Sequence, residues 1–483
     1  MTPAAEAGTA AAGIDARGVL DLLDSLDSTP GLEMHSIAIA SAGAVVAEGY
    51  WAPYSADRVH LLYSISKTWT ATAVGLLVDD GRLALDDPII DLLPGVGDLR
   101  IAPRWRQVTV GHCLRMATGH HTEAWGAAQV GAAGEPASIN DLDPVVASIL
   151  SHEPEHEPGT HFAYNQVATY LAAAAARAVC GQSVVDLLRD RVLIPLDVAE
   201  LPWTRTATGA EIGFSGSHAR TRDILALAQL YLDNGRHGGR QILSPEWVAT
   251  AMASTGLPNP EGETIDWRLG YGCSFWTSQH GVRGDGAYGQ FALVLPDQRI
   301  AIAITSETEQ MQPVLDAVWR HLIPAVDRAG SSAADADLAA RLRHLAVEAP
   351  LGAGPVTERT WQRAAGNVSS AYTGARLRPG AGGIHTLSLV RGEAVLETLV
   401  GESDWAESEW TDGDAALPVL ARGGPTREGG YAADLRIIET PHTVQVRVAP
   451  GSEGVDLSWR NPPLNGTDPL WLAVRTRIPR IDT

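Results

Sequence analysis

At residues 61–68 the chain reads Leu61-Leu62-Tyr63-Ser64-Ile65-Ser66-Lys67-Thr68, and an apolar segment follows that ends near Val78. The large apolar residues of this segment recur at helical spacing: Ile65, Trp69, Ala73, Leu76 and Leu77. This spacing predicts an α-helix that buries one face and turns the other outward. The helix is expected to end at Asp79-Asp80-Gly81, because Gly81 suits the left-handed closing position.

Ser64 and Lys67 lie three residues apart at the start of this helix, which places their side chains on one face. A serine hydroxyl is a poor nucleophile until a base takes its proton, and a desolvated lysine can contribute to that step. The helix N-terminus also favours negative charge that develops at the serine. The pair therefore predicts nucleophilic catalysis at Ser64. The alternative is that Ser64 or Ser66 only caps the helix, since four matching residues also occur by chance.

The composition is that of a large globular protein with an acidic balance. The 483 residues suffice for two or three domains, and 36 Lys and Arg against 57 Asp and Glu give a net charge of −21. This charge disfavours nucleic acids and anionic membranes as partners. The three cysteines (Cys113, Cys180 and Cys273) are too far apart for a zinc knuckle, and no metal or other cofactor is expected. Without a signal-like start or an apolar run of about 18–20 residues, a cytoplasmic location is expected.

The order of elements predicts an α+β domain followed by a β-rich domain. A hairpin pattern at 36–50 precedes a long, mostly helical stretch, and a strand meander at 271–305 with a helix at 310–322 closes the unit. This order favours an antiparallel sheet with flanking helices plus an all-helical lobe. The expected units are 1–325 for the α+β domain with the helical lobe inserted at about 80–265, 326–354 for a linker, and 355–483 for a β-rich barrel or sandwich.

The stretch His152-Glu153-Pro154-Glu155-His156 matches the His-Glu-x-x-His pattern of zinc proteases. That chemistry requires both histidines on one helical turn. Pro154 at its centre, with Pro158 and Gly159 close behind, disfavours a helix here. We expect a surface loop without zinc.

The stretch Gly284-Asp285-Gly286-Ala287-Tyr288-Gly289 matches Gly-x-Gly-x-x-Gly. A dinucleotide site needs such a turn to open a helix, whereas residues 291–295 have the pattern of a strand. The dinucleotide interpretation therefore fails. Glycines beside a strand still allow a ligand to approach the backbone closely.

These pieces together resemble the class C β-lactamase and penicillin-recognising superfamily of serine hydrolases over residues 34–323. The segments that carry the resemblance follow in the usual order: Tyr63-Ser64-Ile65-Ser66-Lys67, Leu83-Ala84-Leu85-Asp86-Asp87-Pro88-Ile89, 108–119 and 162–171. The resemblance implies the two-lobed β-lactamase/transpeptidase-like fold, with Ser64 as nucleophile and Lys67 and Tyr164 as general acid and base. Which of the coupled pair is the base cannot be assigned from sequence. Backbone N–H groups of Ser64 and Ala287 would form the oxyanion hole.

The sequence departs from the family pattern at two places. The Tyr-x-Asn element reads Tyr164-Asn165-Gln166, so the reach of its amide differs. Gly284-Asp285-Gly286 replaces the Lys-Thr-Gly strand motif, which removes the lysine that would attract a substrate carboxylate. Arg283 or a histidine could compensate. The expected substrate-binding residues are Asn165, Gln166, Asp285 and Gly286, and Asp285 could attract a substrate ammonium group.

We therefore expect a serine hydrolase that cleaves small ester or amide substrates through an acyl-enzyme. Esterases, amidases and D-amino-acid peptidases of the superfamily fit best, with weak β-lactamase activity at most. One alternative is a catalytically silent binding or regulatory protein of the same fold, for which the missing strand lysine argues. The other is an enzyme that transfers its acyl group to an amine or alcohol. The expected partner is a small molecule, and assembly into a homo-oligomer is left open.

Overall fold

The structure is a computed structural model that describes residues 9, 13–126, 143–206, 209–352, 354–412, 415–464 and 466–473. Most of the Gly- and Ala-rich stretch 125–140, which the sequence predicts to be irregular, lies outside these residues.

A six-stranded antiparallel sheet forms the centre of the first domain. The strands of this domain are β1 (Met34–Ser41), β2 (Ala44–Tyr50), β3 (His60–Leu61), β4 (His218–Ala219), β5 (Arg236–His237), β6 (Arg240–Gln241), β7 (Trp276–Thr277), β8 (Val282–Gly286), β9 (Gln290–Leu295) and β10 (Ile300–Ser306). The main sheet has the order β2-β1-β10-β9-β8-β7, so strands from both ends of the domain pair at its middle. The β1–β2 pair confirms the hairpin predicted at 36–50.

Helices cover both faces of this sheet and form a separate helical lobe. They are α1 (Ala16–Ser28), α2 (Ile65–Asp79), α3 (Val110–Leu114), α4 (Pro144–Ser151), α5 (Gln166–Cys180), α6 (Val184–Leu188), α7 (Thr221–Leu232), α8 (Pro245–Met252) and α9 (Met311–Ala317). The helix predicted within 108–119 is shorter than expected, because Met116 has a positive φ of 56°. Among the described residues no single helix is long and apolar enough to cross a membrane. Only the bent pair Gln166–Cys180 and Val184–Leu193 reaches the required length and apolar composition when its two helices are counted as one.

The sheet separates two hydrophobic cores because alternate side chains of each strand point to opposite faces. On β1, Ala38 and Ala40 face the core shared with α2 and the helical lobe. Ile37 and Ile39 face the core under α1 and α9. The small alanines on the first face leave room for α7 to lie close to the sheet.

Helix α2 is buried on every side, which differs from the one-sided burial predicted from its spacing. All residues from Ile65 to Leu77 are buried, including Thr68, Thr70 and Thr72. The threonine hydroxyls satisfy this burial by hydrogen bonds: Thr70 donates to the Gly213 carbonyl at 2.7 Å. A helix surrounded by protein is typical of the centre of a large domain. The predicted end is confirmed, since Gly81 has a φ of 66°.

The C-terminal domain is a β-barrel. Its strands are β11 (Arg359–Ala365), β12 (Gly374–Arg378), β13 (Ile384–Arg391), β14 (Ala394–Gly401), β15 (Ala406–Asp412), β16 (Ala415–Pro425), β17 (Tyr431–Ile437), β18 (His442–Val448) and β19 (Gly454–Trp459). Their order is β14-β13-β12-β11-β19-β18-β17-β16-β15, and an added pairing of Gly401 with Arg422 joins β14 to β16. Alternate residues such as Leu435 and Val446 fill the interior.

A buried ion-pair cluster joins the barrel to the first domain. Arg436 of β17 is fully buried and binds both carboxylate oxygens of Glu33, which directly precedes β1. Arg460 donates to the same carboxylate at 2.6 Å. Helix α10 (Ser332–Arg343) lies in the stretch predicted as a linker, and its Leu338 packs into the core under α1. The barrel is thus held directly against the sheet.

Candidate active site

A cavity of about 540 Å³ lies at the N-terminal end of α2. Its walls come from both domains: Ser64, Tyr164, Gln166, Asn259, Glu261, Gly262, Glu263, Thr264, Trp267, Trp276, Asp285, Ala287, Glu309, Gln310, Met311, Gln312, Pro313 and Leu464. The predicted residues Ser64, Tyr164 and Ala287 therefore share one cavity, although they lie up to about 220 residues apart in sequence.

Lys67 is the buried partner of Ser64. Its Nζ lies 2.9 Å from Ser64 Oγ and 3.0 Å from the carbonyl oxygen of Phe214, and its side chain is 1% exposed. Burial lowers the pKa of Lys67 from 10.5 to about 7, and the carboxylates of Asp285 and Glu123 oppose only part of that change. Much of the lysine is therefore neutral near pH 7 and can accept the serine proton.

The segment that carries Phe214 is fixed against α2 by hydrogen bonds. Leu62 N–H donates to the Ser217 carbonyl at 2.8 Å, and the hydroxyls of Ser66 and Ser217 lie 2.7 Å apart. The ring of Phe214 also lies 5.7 Å from Lys67 Nζ. No sequence motif marks Phe214, because its role is to offer a backbone carbonyl and an apolar ring to Lys67.

Tyr164 stands directly before α5 with its ring between other aromatic rings. It stacks on Trp276 at 5.2 Å and meets Tyr271 edge-on at 5.9 Å, while Lys67 Nζ lies 4.8 Å from its ring centroid. Burial raises the pKa of Tyr164 well above its usual value, although a hydrogen bond with Ser64 opposes the change. The resting pair is thus a neutral tyrosine beside a lysine that readily loses its proton.

The end of β8, which directly precedes Ala287, approaches the segment before Ser64 very closely. A Cβ placed on Gly286 would lie 2.0 Å from the carbonyl oxygen of Leu62, so only glycine fits there. This approach puts Ala287 on the same cavity wall as Ser64. The role of their N–H groups as an oxyanion hole stays a prediction.

The C-terminal domain contacts Tyr63 and Tyr288, the sequence neighbours of the expected oxyanion donors Ser64 and Ala287. Tyr63 and Tyr288 have left-handed backbones, with φ of 46° and 66°. The Tyr63 hydroxyl hydrogen-bonds His442 at 2.5 Å, and the Tyr288 hydroxyl donates to the Pro462 carbonyl at 2.5 Å. Leu464 adds an apolar contact to the cavity wall. Sequence reasoning missed His442, Pro462 and Leu464, because they lie in the C-terminal domain and match no motif.

Asp285 reaches the cavity, whereas Arg283 does not line it. Arg283 is fully buried, stacks on Trp267 at 4.3 Å and donates to Ser278 Oγ at 2.6 Å and to Asp285 Oδ2 at 3.0 Å. Burial raises the pKa of Asp285, and Arg283 opposes that change. Arg283 therefore supports Asp285 and does not replace the family lysine, as the sequence had left open.

The loss of the family lysine at Gly284 has a steric reason in this chain. A Cβ on Gly284 would lie 2.6 Å from Thr68 Oγ1, and that hydroxyl donates to the Ser274 carbonyl at 3.1 Å. The glycine face of β8 thus packs directly onto α2. Gly286 faces the same way and allows the same close packing, and it is not among the described lining residues of the cavity. Its role in substrate binding stays a prediction.

Of the two predicted amides, only Gln166 lines the cavity. Asn165 is fully buried: its Oδ1 accepts from the Val167 and Ala124 N–H groups, and its Nδ2 donates to the Thr122 carbonyl. Both ends of its amide thus hold the loop before α5, and a role of Asn165 in substrate binding stays a prediction. Gln166 Oε1 is buried without a hydrogen-bond partner among the described residues, so it is available to a substrate donor.

The charged residues on the cavity wall all carry negative charge. They are Glu261, Glu263, Asp285 and Glu309, and no lysine or arginine is among the described lining residues. Such a wall attracts cations and repels carboxylates.

The two other motifs are resolved as predicted. Helix α4 ends at Ser151, so His152 to His156 form a loop and the His-Glu-x-x-His helix is absent. The glycine-rich stretch Gly284 to Gly289 spans the turn between the antiparallel strands β8 and β9, which confirms that it does not open a helix.

Comparison with protein families gives a match to the model described as Beta-lactamase over residues 22–326. The 6-aminohexanoate-dimer hydrolase of Paenarthrobacter ureafaciens is 26% identical over 268 residues, 51% of this chain and 65% of that protein. The match thus spans just under two thirds of that relative. Penicillin-binding protein 4 of Amycolatopsis lactamdurans is 27% identical over 322 residues, 58% of this chain and 81% of that protein.

Solved structures share the fold at low identity. The β-lactamase candidate of Bacteroides dorei DSM 17855 has a TM-score of 0.53 at 18% identity, covering 64% of this chain and 99% of that one. EstCE1, a hydrolase with promiscuous acyltransferase activity, has a TM-score of 0.50 at 16% identity over 63% and 98% of the chains. SurE has a TM-score of 0.50 at 18% identity and covers 91% of this chain and all of that one. These likenesses bear on the fold alone.

Proposed function

Because the chain belongs to the beta-lactamase family of serine hydrolases, we propose that it cleaves small ester or amide substrates through an acyl-enzyme on Ser64. The observation that carries the proposal is the 2.9 Å contact between Lys67 Nζ and Ser64 Oγ, with the lysine buried. A silent binding protein of this fold would not need a lysine with a pKa near 7 at the serine.

Acylation begins when neutral Lys67 takes the proton of Ser64 Oγ as this oxygen attacks the substrate carbonyl carbon. The carbonyl π bond breaks, and the negative oxygen of the tetrahedral intermediate accepts from the N–H groups of Ser64 and Ala287. Collapse restores the carbonyl and expels the leaving group, which takes a proton from the Tyr164 hydroxyl. Tyr164 recovers a proton from protonated Lys67, which returns the pair to its starting state.

Deacylation repeats these steps with water as the nucleophile. Lys67 takes a proton from water through Tyr164, and the acyl carbonyl again forms a tetrahedral intermediate. Ser64 Oγ leaves and regains its proton from Lys67. No step requires a metal ion or an organic cofactor, since the buried lysine supplies the base.

The substrates favoured by the acidic wall carry an ammonium group near the scissile bond. Asp285, Glu261, Glu263 and Glu309 would attract such a group and repel a substrate carboxylate. A β-lactam carboxylate would meet no lysine at Gly284. We propose aminoacyl esters and amides as the substrate class.

Labelling with a fluorophosphonate tests the nucleophile. Intact-protein mass spectrometry is expected to show one adduct on the wild type, none on Ser64→Ala and one on Ser452→Ala, an exposed serine of the barrel. Equal labelling of Ser64→Ala would overturn the proposal, and failure to label the wild type would favour a silent protein. A panel of p-nitrophenyl esters, D- and L-aminoacyl amides and a chromogenic β-lactam then ranks the substrates.

Acyl transfer to an amine is a second candidate, because the same acidic wall would concentrate an amine acceptor beside the acyl-enzyme. An added amine that intercepts the acyl-enzyme forms an amide in place of the free acid. Product analysis with and without a millimolar diamine separates the two outcomes, since a strict hydrolase gives only the acid.

A further inference from the structure

Three histidines meet on one side of the loop that precedes the catalytic tyrosine. They are His121, His156 and His161, and none of them lines the cavity. We propose that these imidazoles bind one divalent transition-metal ion of the zinc type. The ion would join the loop at 117–125 to the loop at 152–164.

The nitrogen atoms are spaced for shared coordination. One ring nitrogen of each histidine lies within 4.8 Å of the others, and His121 Nδ1 lies 3.1 Å from His156 Nε2. Two ligands of a tetrahedral zinc ion with bonds of about 2.0–2.1 Å are separated by roughly 3.3 Å. His161 packs on both partners, with ring centroids 4.1 Å from His156 and 5.5 Å from His121.

The backbone already holds the two loops together. His156 N–H donates to the Gly119 carbonyl and Gly159 N–H donates to the Ala117 carbonyl, both at 2.8 Å. A Cβ on Gly119 would lie 2.3 Å from the His156 carbonyl oxygen, so glycine is needed for this approach. Because the loops are paired before an ion arrives, binding would order few further residues.

The neighbouring histidines show that this grouping is selective. His120, next to His121, turns inward, where its Nδ1 lies 2.8 Å from Thr118 Oγ1 and its ring packs on Trp105. His152, the first histidine of the His-Glu-x-x-His match, hydrogen-bonds the Ser148 carbonyl at 2.9 Å. Only the second histidine of that match joins the cluster, so the site differs from a zinc protease.

Negative charge around the cluster favours a cation. Glu155 accepts from the His121 backbone N–H at 2.9 Å, which places a carboxylate beside the cluster. His161 Nε2 lies 3.3 Å from the His121 carbonyl oxygen, a contact that orients this ring and leaves Nδ1 for the ion. The side chains are partly exposed, so water can complete the coordination.

The consequence for the enzyme is a firmer cavity wall. Asn165 already bridges the same two loops through the Thr122 carbonyl and the Ala124 N–H, and Tyr164 and Gln166 flank it. An ion at the histidines would add a second connection three residues before Tyr164. The inference stands on this geometry and does not depend on the substrate.

The test uses the full chain without a histidine tag, stripped with EDTA and dialysed. Calorimetric titration with Zn²⁺ is expected to show one equivalent per chain, and Co²⁺ is expected to give the visible absorption of a tetrahedral nitrogen site. His156→Ala and His161→Ala should weaken Zn²⁺ binding by more than about 100-fold. Loss of a residue that only supports the ligands costs up to about 100-fold in metal affinity, and loss of a ligand should cost more. His152→Ala is the matched control and should bind like the wild type.

The variants are compared by circular dichroism in EDTA, where all should match the wild type. Added Zn²⁺ should raise the melting temperature of the wild type and of His152→Ala and leave that of the cluster variants unchanged. Absent or millimolar binding by the wild type, or equal binding by all four proteins, would overturn the proposal. Fluorophosphonate labelling of Ser64 in the metal-free protein would support the proposed function whether or not zinc binds.

Discussion

The Tyr63 hydroxyl lies 2.5 Å from Nε2 of His442, so a side chain of the C-terminal barrel is hydrogen-bonded to the residue directly before Ser64. His442 Nδ1 lies 2.9 Å from the Asn461 carbonyl and donates to it, which leaves Nε2 to accept from the tyrosine. Burial lowers the pKa of His442 to about 3, so the ring is neutral across the working pH range. The barrel therefore contributes directly to the placement of Ser64.

Tyr63→Phe should lower both stability and acylation. It leaves His442 Nε2 buried without a donor, which costs about 1–3 kcal/mol of the free energy of unfolding. The acylation rate should fall about ten-fold, because Ser64 loses part of its fixed orientation. Urea unfolding and single-turnover labelling measure the two effects. The matched control is Tyr372→Phe, whose hydroxyl donates to Asp468 inside the barrel: it should lose similar stability and acylate normally. Equal acylation by both variants would refute the link.

The pH profile of acylation should report Lys67. Because its pKa is lowered to about 7 and the neutral form is the base, kcat/KM should rise with pH through about 7 and then level off. Asp285 raises this pKa, so Asp285→Asn should move the rising limb to lower pH. A limb that moves upward, or one that is absent in the wild type, would contradict this assignment.

Lys67→Met should be inactive yet more stable. Loss of the base should reduce acylation by about 10²–10⁴-fold. At pH 7 the free energy of unfolding should increase by about 2–4 kcal/mol, because the unfolded lysine carries a proton that its buried site disfavours. Between pH 7 and 10.5 the wild type gains stability as pH rises, since the unfolded state binds more protons there, and the advantage of the variant should shrink. Urea unfolding at pH 7 and 10 measures the difference.

The preference for ammonium-bearing substrates should depend on the acidic wall. For an aminoacyl ester and its desamino analogue, the ratio of kcat/KM should fall about 5–30-fold in Asp285→Asn, which corresponds to roughly 1–2 kcal/mol. The ratio is read at about pH 7, below the usual α-amino pKa of roughly 7.7–8.0, so the substrate carries its charge. The altered pKa of Lys67 acts equally on both substrates and cancels in the ratio. Glu309→Gln provides a second variant on the same wall, and Glu397→Gln on the exposed barrel surface is the control. An unchanged ratio in both wall variants would end this hypothesis.

Gly284→Ala should destabilise the protein by about 1–3 kcal/mol, because its Cβ would press against Thr68 Oγ1 in a packed interface. Gly126→Ala is the matched control, since a Cβ there meets no atom of the described residues within 4 Å. Thermal unfolding of both variants gives the comparison. A neutral Gly284→Ala would contradict the steric reason given for the glycine at this position.

The sequence by itself was enough for the features that depend on neighbouring residues. The spacing from Ser64 to Lys67, the helix end at Gly81 and the hairpin at 36–50 follow from local periodicity and turn chemistry, and the structure has them where they were predicted. The ordered motifs also led to the family and to Tyr164. Local patterns suffice here because helices, turns and caps are set by residues a few positions apart.

Only the tertiary structure decided the features that depend on burial and on distant contacts. The pKa of Lys67 is low because its side chain is buried. The helical spacing of apolar residues in α2 did not reveal that this helix is buried on all sides. The contact of His442 with Tyr63, 379 residues apart, and the meeting of the three histidines have no local signal. Desolvation and long-range packing arise from the whole fold, and they set the chemistry of residues that the sequence could only name.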